Sequence, residues 1–98
     1  MNIKLINKLK CTLPDYPIEK AWLFGSFSRG EETRKSDVDL LVRFDKNTKI
    51  VGLDYIRMMN RLEETLHKRV DLVKEGTLKK FAVNTVEKDK ILIYERAS

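Results

Sequence analysis

Two carboxylates and a Gly-Ser pair are the residues most able to do chemistry in this sequence. Asp37 and Asp39 flank Val38 at the start of an apolar segment, and Gly25-Ser26 precedes them in the chain. Aspartate is uncommon in strands, and neighbouring like charges repel each other unless a cation lies between them. We therefore expect a divalent metal site beside a pocket for phosphates, which is the arrangement that nucleotidyl transfer needs.

The spacing of the acids suits a metal ion. Residues i and i+2 of a strand project from one face, with Cα atoms roughly 6.5–7 Å apart, so Asp37 and Asp39 can reach the same cation. Mg²⁺ prefers oxygen ligands and keeps positions for substrate phosphate oxygens. A second ion roughly 3.5–4 Å from the first needs a further acid. Asp71 is the candidate, because it interrupts the apolar residues 70–73.

Simpler explanations exist for each acid taken alone. Asp37 and Asp39 would suit a solvated strand face about as well, and Asp71 could pair with Arg69 on its own strand face. The three acids together with the Gly-Ser turn are much harder to explain without a metal.

The Gly-Ser turn suits a polyphosphate. Gly25 ends an apolar segment, allows a ligand to approach the backbone closely and adopts backbone angles that other residues avoid. Backbone N–H groups at a following helix start, with the Ser26 hydroxyl, would hold β- and γ-phosphates. Arg29 could add a charge-assisted contact to the triphosphate. The alternative is a strand-ending glycine with a serine cap. The residues expected to shape the loop geometry are Ser28, Gly30 and Ser36.

The elements that must position these residues follow from hydrophobic periodicity. Helical spacing predicts a first helix of about ten residues from Ile3, ended by Pro14 and Pro17, and a short helix could start at Ser26. A further helix is predicted over residues 53–66, and a last one after a Thr77 cap. The face predicted to be buried on the third helix consists of Leu53, Ile56, Met59, Leu62 and Leu66, and that on the last helix consists of Leu78, Phe81, Ala82 and Val86.

Strands are predicted over residues 18–24, 37–44, 69–73 and 91–94. In the second of these, Val38, Leu40 and Val42 share one face and Asp39 lies on the other. The fold class is therefore α/β, a small sheet with helices packed against it, and strand directions stay open.

Composition limits the remaining possibilities. A chain of 98 residues predicts a single domain over residues 1–98. The net charge of +5 comes from scattered lysines, which suits an anionic ligand but predicts no nucleic-acid-binding arm. No apolar run is long enough to span a membrane and no signal peptide is recognisable, so the cytoplasm is expected. The single cysteine, Cys11, is predicted to be a small packing residue, and His67 a surface residue at a helix end.

Beyond these inferences, Gly25-Ser26, Arg29-Gly30, Ser36-Asp37-Val38-Asp39-Leu40-Leu41-Val42 and Val70-Asp71-Leu72-Val73 resemble a known signature. It is that of the minimal nucleotidyltransferase family of the polymerase-beta-like superfamily, in which Gly-Ser precedes Asp-x-Asp by about ten residues. The resemblance covers nearly the whole chain. It implies an α+β nucleotidyltransferase fold with a mixed sheet and about four helices, and ATP and two Mg²⁺ ions as cofactors.

The same resemblance implies roles for individual residues. Asp37, Asp39 and Asp71 would be the metal-binding and catalytic acids. The residues that would bind the nucleotide are Gly25, Ser26 and Arg29.

The family that the sequence resembles includes antitoxins encoded beside a HEPN ribonuclease toxin. These antitoxins silence the toxin by transferring AMP from ATP to one of its tyrosines. The implied activity is therefore Mg²⁺-dependent protein adenylylation of a toxin encoded by a neighbouring gene. One alternative is an antitoxin that acts by binding and masking its toxin, with weak or no transfer. Another is a structural or nucleic-acid-binding domain, which predicts no metal-dependent nucleotide binding. Nucleotide preference and oligomeric state stay open.

Overall fold

Four α-helices and four strands make up the described part of the chain, which in this computed structural model is residues 3–46, 48, 52–77 and 80–96. The elements in chain order are α1 (Ile3–Thr12), β1 (Ile18–Phe24), α2 (Ser26–Arg29), β2 (Val38–Phe44), α3 (Gly52–Leu66), β3 (Val70–Lys74), α4 (Lys80–Asp89) and β4 (Ile91–Glu95). A 3₁₀ turn, Leu13–Asp15, links α1 to β1 and contains Pro14. The predicted elements are confirmed, with boundaries that differ by a residue or a few.

The strands form one mixed sheet in the order β3-β2-β1-β4. β1 is antiparallel to both β2 and β4, whereas β2 and β3 run parallel. A parallel pair needs a crossover connection, and α3 provides it. The mixed sheet with four helices that the resemblance implied is confirmed.

One face of the sheet carries the main core. Val38, Leu40 and Val42 of β2 are buried there against α1 and α3, which contribute the fully buried side chains of Leu9 and Leu62. Because side chains alternate along a strand, Asp39 and Leu41 lie on the opposite face. The alternation predicted for β2 is confirmed.

The opposite face carries a second, smaller apolar cluster. Val86 of α4 packs on Trp22 of β1 and Leu41 of β2, and Phe24 and Val73 are partly buried beside them. The predicted inward orientation of Val86 is confirmed. Leu78, and the side chains of Phe81 and Ala82, lie outside the described residues.

Two expectations about buried residues are wrong. Cys11 is exposed, because the buried stripe of α1 consists of Leu5, Leu9 and Thr12 and residue 11 lies off that stripe. On α3, Leu53 is 66% and Ile56 50% exposed. The buried stripe of that helix consists of Met58, Leu62 and Leu66, which is an overlapping set at the same helical spacing.

Helix α3 also covers the outer edge of β3. The Glu63 carboxylate accepts a hydrogen bond from the Val70 N–H at 3.0 Å, and the Tyr55 hydroxyl donates to the Leu72 carbonyl. Backbone groups on a free edge invite pairing with another chain, so these side chains protect the strand. The helix ends before His67, which is exposed as expected and has a left-handed φ of 54°.

The described helices include none with both the length and the apolar character needed to cross a membrane.

The edge contact of Tyr55 predicts a cost for removing its hydroxyl. Tyr55→Phe should lower the free energy of unfolding by about 1 kcal/mol, because the Leu72 carbonyl loses its partner in a half-buried site. Urea denaturation measures this. Tyr16→Phe is the matched control, since Arg61, at 3.3 Å in an exposed position, is the one hydrogen-bond partner of the Tyr16 hydroxyl in the part of the chain that the structure describes. Equal losses in the two variants would contradict the edge-capping role.

Candidate active site

A row of side chains crosses the sheet at one end of its second face. Phe24 of β1 is paired with Asp39 of β2, and Asp39 is paired with Asp71 of β3. Residues paired across strands project from the same face, and neighbouring strands lie about 4.8 Å apart. Phe24, Asp39 and Asp71 are therefore neighbours, beside the apolar cluster that α4 covers.

Asp37 joins this row from the loop side. It lies immediately before β2 and is exposed, as is Asp71, whereas Asp39 is partly buried. None of the three carboxylates has a hydrogen bond or an ion pair to another described residue. In particular, Asp71 does not pair with Arg69, so the simpler explanation of this acid finds no support.

The three acids influence one another electrostatically. Burial raises the pKa of Asp39 to about 6, and the charges of Asp71 and then Asp37 add to this effect, while the Arg29 charge opposes it. Asp71 also acts on Tyr55, whose pKa is raised mainly by burial and further by this charge. Unbalanced negative charge is thus concentrated around Asp39.

This row is not a preassembled metal cage. Among the described residues, no three acidic, histidine or cysteine side chains are gathered closely enough to hold an ion as they stand. The donor set nevertheless fits a hard divalent cation. It consists of carboxylate oxygens that have no hydrogen-bond or ion-pair partner among the described residues, and a cation would relieve their mutual repulsion. The metal-binding roles of Asp37, Asp39 and Asp71 stay predictions.

Gly25 brings the Gly-Ser turn into contact with the acid row, which consists of Asp37, Asp39 and Asp71. It has φ 73° and ψ −151°, a combination essentially restricted to glycine. A Cβ atom placed on Gly25 would lie 2.1 Å from Asp39 Oδ2. The chain therefore needs glycine here both for its backbone angles and for the space that the Asp39 carboxylate occupies.

The loop after Gly25 has the predicted geometry. The Ser28 hydroxyl donates to the Gly25 carbonyl at 2.8 Å, and Gly30 ends α2 in the left-handed conformation. The Ser36 hydroxyl accepts a hydrogen bond from the Thr33 N–H at 2.8 Å. The Ser26 hydroxyl has no partner among the described residues, so it is free to bind a ligand.

Arg29 lies at the end of α2, in contact with two carboxylates. Its Nη1 atom is 2.8 Å from Asp89 Oδ2 and its Nε atom 3.0 Å from Glu31 Oε1. The predicted phosphate contact of Arg29 therefore stays a prediction. Sequence reasoning did not find Asp89, because no local pattern connects residues that lie 60 positions apart.

These features together define a class of protein. A mixed sheet with an Asp-x-Asp motif on a central strand, a third acid in register on the parallel neighbour, and a Gly-Ser turn against them is the arrangement of the nucleotidyltransferase fold. The family model described as "Polymerase beta, Nucleotidyltransferase" matches residues 7–98. The chain belongs to this family, and it is a nucleotidyltransferase.

Relatives of similar length support this membership. The chain is 34% identical over 92 residues to the Methanocaldococcus jannaschii protein MJ1379, whose name carries a provisional assignment as a protein adenylyltransferase; the match covers 92% of each chain. It is 35% identical over 78 residues to the protein adenylyltransferase MntA of Thermococcus cleftensis, covering 80% of this chain and 77% of MntA.

Solved structures share the fold. A chain of a toxin–antitoxin crystal structure with AMP-PNP superposes with a TM-score of 0.79 at 23% identity, covering 98% of this chain and 75% of that one. A chain of the Shewanella oneidensis complex of tri-AMPylated HEPN toxin and MNT antitoxin gives a TM-score of 0.73 at 20% identity, covering 98% and 74%. The predicted membership of the minimal nucleotidyltransferases is confirmed.

The raised pKa of Asp39 predicts how stability varies with pH without metal. Between about pH 4 and pH 6 the folded state binds the Asp39 proton more tightly than the unfolded state, so stability falls as pH rises through this window. Asp39→Asn should therefore be more stable than the parent at pH 7, by about 1–2 kcal/mol after allowance for screening, and equally stable below pH 4. Urea titrations in EDTA at several pH values measure this. A parent protein that gains stability relative to the variant as pH rises would contradict it.

The contact of Gly25 with Asp39 predicts that no side chain is tolerated at this position. Gly25→Ala should destabilise the fold by about 1–3 kcal/mol through backbone strain and should also displace the Asp39 carboxylate. Gly30→Ala is the control, because Gly30 has a similar φ of 71° but a Cβ there would meet nothing within 4 Å. Thermal unfolding compares the two variants, and an equal or smaller loss for Gly25→Ala would refute the prediction.

Proposed function

We propose that this chain is a Mg²⁺-dependent protein adenylyltransferase of residues 1–98 that acts as an antitoxin in the cytoplasm. It transfers AMP from ATP to a tyrosine hydroxyl of a HEPN-type ribonuclease toxin encoded by a neighbouring gene. The transfer silences the toxin.

One observation carries this proposal: Asp39 and Asp71 are in register on the same sheet face, with the Gly25 turn against Asp39. A solvated strand face would not need a glycine in contact with one of its acids. A site that holds phosphates beside a cation does, because the backbone of the turn and the carboxylates must then lie close enough together to reach the same ligand.

Names of similar proteins support the choice of substrates. MntA of Thermococcus cleftensis is named a protein adenylyltransferase. Structures of the same fold include a toxin–antitoxin pair with AMP-PNP and an AMPylated HEPN toxin with its MNT antitoxin. An adenine nucleotide as donor and a HEPN protein as acceptor are consistent with all three.

The phosphate side of the site would be formed by the Gly25-Ser26 turn and Arg29. The free Ser26 hydroxyl and the turn backbone would bind the β- and γ-phosphates, and the Arg29 guanidinium would add a charge-assisted contact. Asp37, Asp39 and Asp71 would hold the Mg²⁺ ions. Bound Mg²⁺ would neutralise phosphate charge and orient the triphosphate.

Asp71 is suited to the acceptor side. It is exposed on β3, so an incoming tyrosine can approach it. Its carboxylate would hold the second ion or, alternatively, take the tyrosine proton as the phenolic oxygen forms a bond to the α-phosphorus. The bond from that phosphorus to the bridging oxygen breaks, and pyrophosphate leaves. Positioning of the reactants and neutralisation of their charge would accelerate the transfer, as expected for this chemistry.

Transfer to the partner tests the function directly. The chain is incubated with α-labelled ATP, Mg²⁺ and the product of the neighbouring gene, and mass spectrometry locates the label. We expect AMP on a tyrosine of the partner, no transfer in EDTA, and a loss of at least 10²-fold in the rate for Asp71→Asn. Asp15→Asn is the control, since Asp15 pairs with Arg61 of α3 on the other side of the sheet.

The alternatives give different results. Tight association without label would support an antitoxin that masks its toxin, and would overturn the proposed transfer. If calorimetry detects no binding of Mg²⁺ and ATP, the remaining alternative is a structural or nucleic-acid-binding domain. Unchanged transfer by Asp71→Asn would remove this acid from the mechanism.

A further inference from the structure

Arg29 is held by a carboxylate from the far end of the chain. Its Nη1 atom lies 2.8 Å from Asp89 Oδ2, and its Nε atom lies 3.0 Å from Glu31 Oε1. The Asp89 contact joins the last residue of α4 to the end of α2, across 60 positions of sequence. It thus links the helix that covers the second sheet face to the short helix after the Gly25-Ser26 turn.

The two carboxylates are not equivalent. The Asp89 side chain is 17% exposed, whereas the Glu31 side chain is 59% exposed. Exposed ion pairs contribute little because water screens them, so Glu31 adds little restraint. Asp89 is the partner that limits where the guanidinium can lie, and it is also the largest cause of the raised pKa of Arg29.

The position of Asp89 is itself fixed by its neighbours. Val86 is buried on Trp22 and Leu41. The Lys90 N–H donates to the Val86 carbonyl at 2.7 Å, and the Lys90 ammonium lies 4.6 Å from the centroid of the Trp22 ring. Contacts on both sides of Asp89 therefore hold the end of α4 against β1, and the carboxylate presented to Arg29 is not a mobile surface group.

The remaining donors of Arg29 are available to a ligand. A guanidinium has five N–H donors in a planar fork, and the Nη2 donors have no partner among the described residues. The contact of Nη1 with the half-buried Asp89 carboxylate limits the orientations of the guanidinium plane, and hence the directions in which Nη2 can lie. Pre-orienting a flexible side chain lowers the entropy cost of binding a ligand.

We propose that Asp89 is a positioning residue for the nucleotide: it orients the Arg29 guanidinium so that the free Nη2 donors face the phosphates bound at the Gly25-Ser26 turn. The inference rests on the proposed function, because it assumes that these phosphates are those of a nucleotide. It assigns to α4 a part in nucleotide binding through the restraint that Asp89 places on Arg29.

Calorimetry with AMP-PNP and Mg²⁺ tests this on the full chain, and steady-state transfer from ATP tests it kinetically. Asp89→Asn should raise the dissociation constant of AMP-PNP and the KM for ATP about tenfold, with kcat changed less than twofold. Asp89→Glu keeps a carboxylate and should recover most of the affinity. Glu31→Gln removes the exposed partner of the same guanidinium and should change the affinity less than twofold.

A double-mutant cycle separates positioning from a general structural role. In an Arg29→Ala background, adding Asp89→Asn should weaken AMP-PNP binding no further. Additive losses would overturn the inference, as would wild-type affinity in Asp89→Asn. Asp89→Asn could also lower the unfolding temperature well below that of the parent. In that case Asp89→Glu decides: a variant that regains the stability of the parent but not its affinity for AMP-PNP would likewise overturn the inference.

Failure of the proposed function gives a distinct result. A parent protein that does not bind AMP-PNP with Mg²⁺ would overturn both the function and the inference. A parent protein that binds it, with unchanged affinity in Asp89→Asn, would overturn the inference alone.

Discussion

The parallel pairing of β2 with β3 is the constraint on which the rest of the molecule depends. On one face this register places Val38 beside Val70 and Leu40 beside Leu72, and these side chains are part of the main core. On the other face it places Asp39 beside Asp71. A slip by one residue would exchange the faces and expose the core positions. Burial of the apolar side therefore fixes the acidic side, and the repulsion between the carboxylates is offset by hydrophobic free energy gained elsewhere in the sheet.

A site made in this way favours ligand binding over stability. The partial burial of Asp39 and the two nearby negative charges raise its pKa to about 6, so ionising this carboxyl costs more free energy in the metal-free fold than in the unfolded chain. Any cation that binds the acids relieves this cost and stabilises the folded state through linkage. Gly25 also serves the site rather than stability. It leaves the space that a side chain would fill to the Asp39 carboxylate.

The two layers on the sheet have different tasks. Helices α1 and α3 cover the main core, and α3 also supplies the Tyr55 and Glu63 contacts that close the edge of β3. Helix α4 covers the apolar part of the second face through Val86 and leaves the acid row open beside it. Because Asp89 ends α4 and contacts Arg29, this cover and the helix that follows the Gly25-Ser26 turn are mechanically connected. The fold thus combines a rigid base with an open acidic face.

Local patterns were sufficient to locate the elements and to select the candidate residues, whose roles stay predictions. Alternation identified β2 and the side on which Asp39 lies, and the glycine at residue 25 and the interrupted segment at residue 71 pointed to the turn and the third acid, because these signals depend only on near neighbours in the chain. Periodicity could not decide between overlapping stripes, so the buried face of α3 was misassigned at Leu53 and Ile56. The usual burial of cysteine did not hold for Cys11, because it lies off the buried stripe of α1. The register that joins Asp39 to Asp71, the contact of Gly25 with Asp39 and the pairing of Arg29 with Asp89 were decided by the tertiary structure alone. Each of them depends on which distant surfaces pack together, and that is determined by the free energy of the whole core.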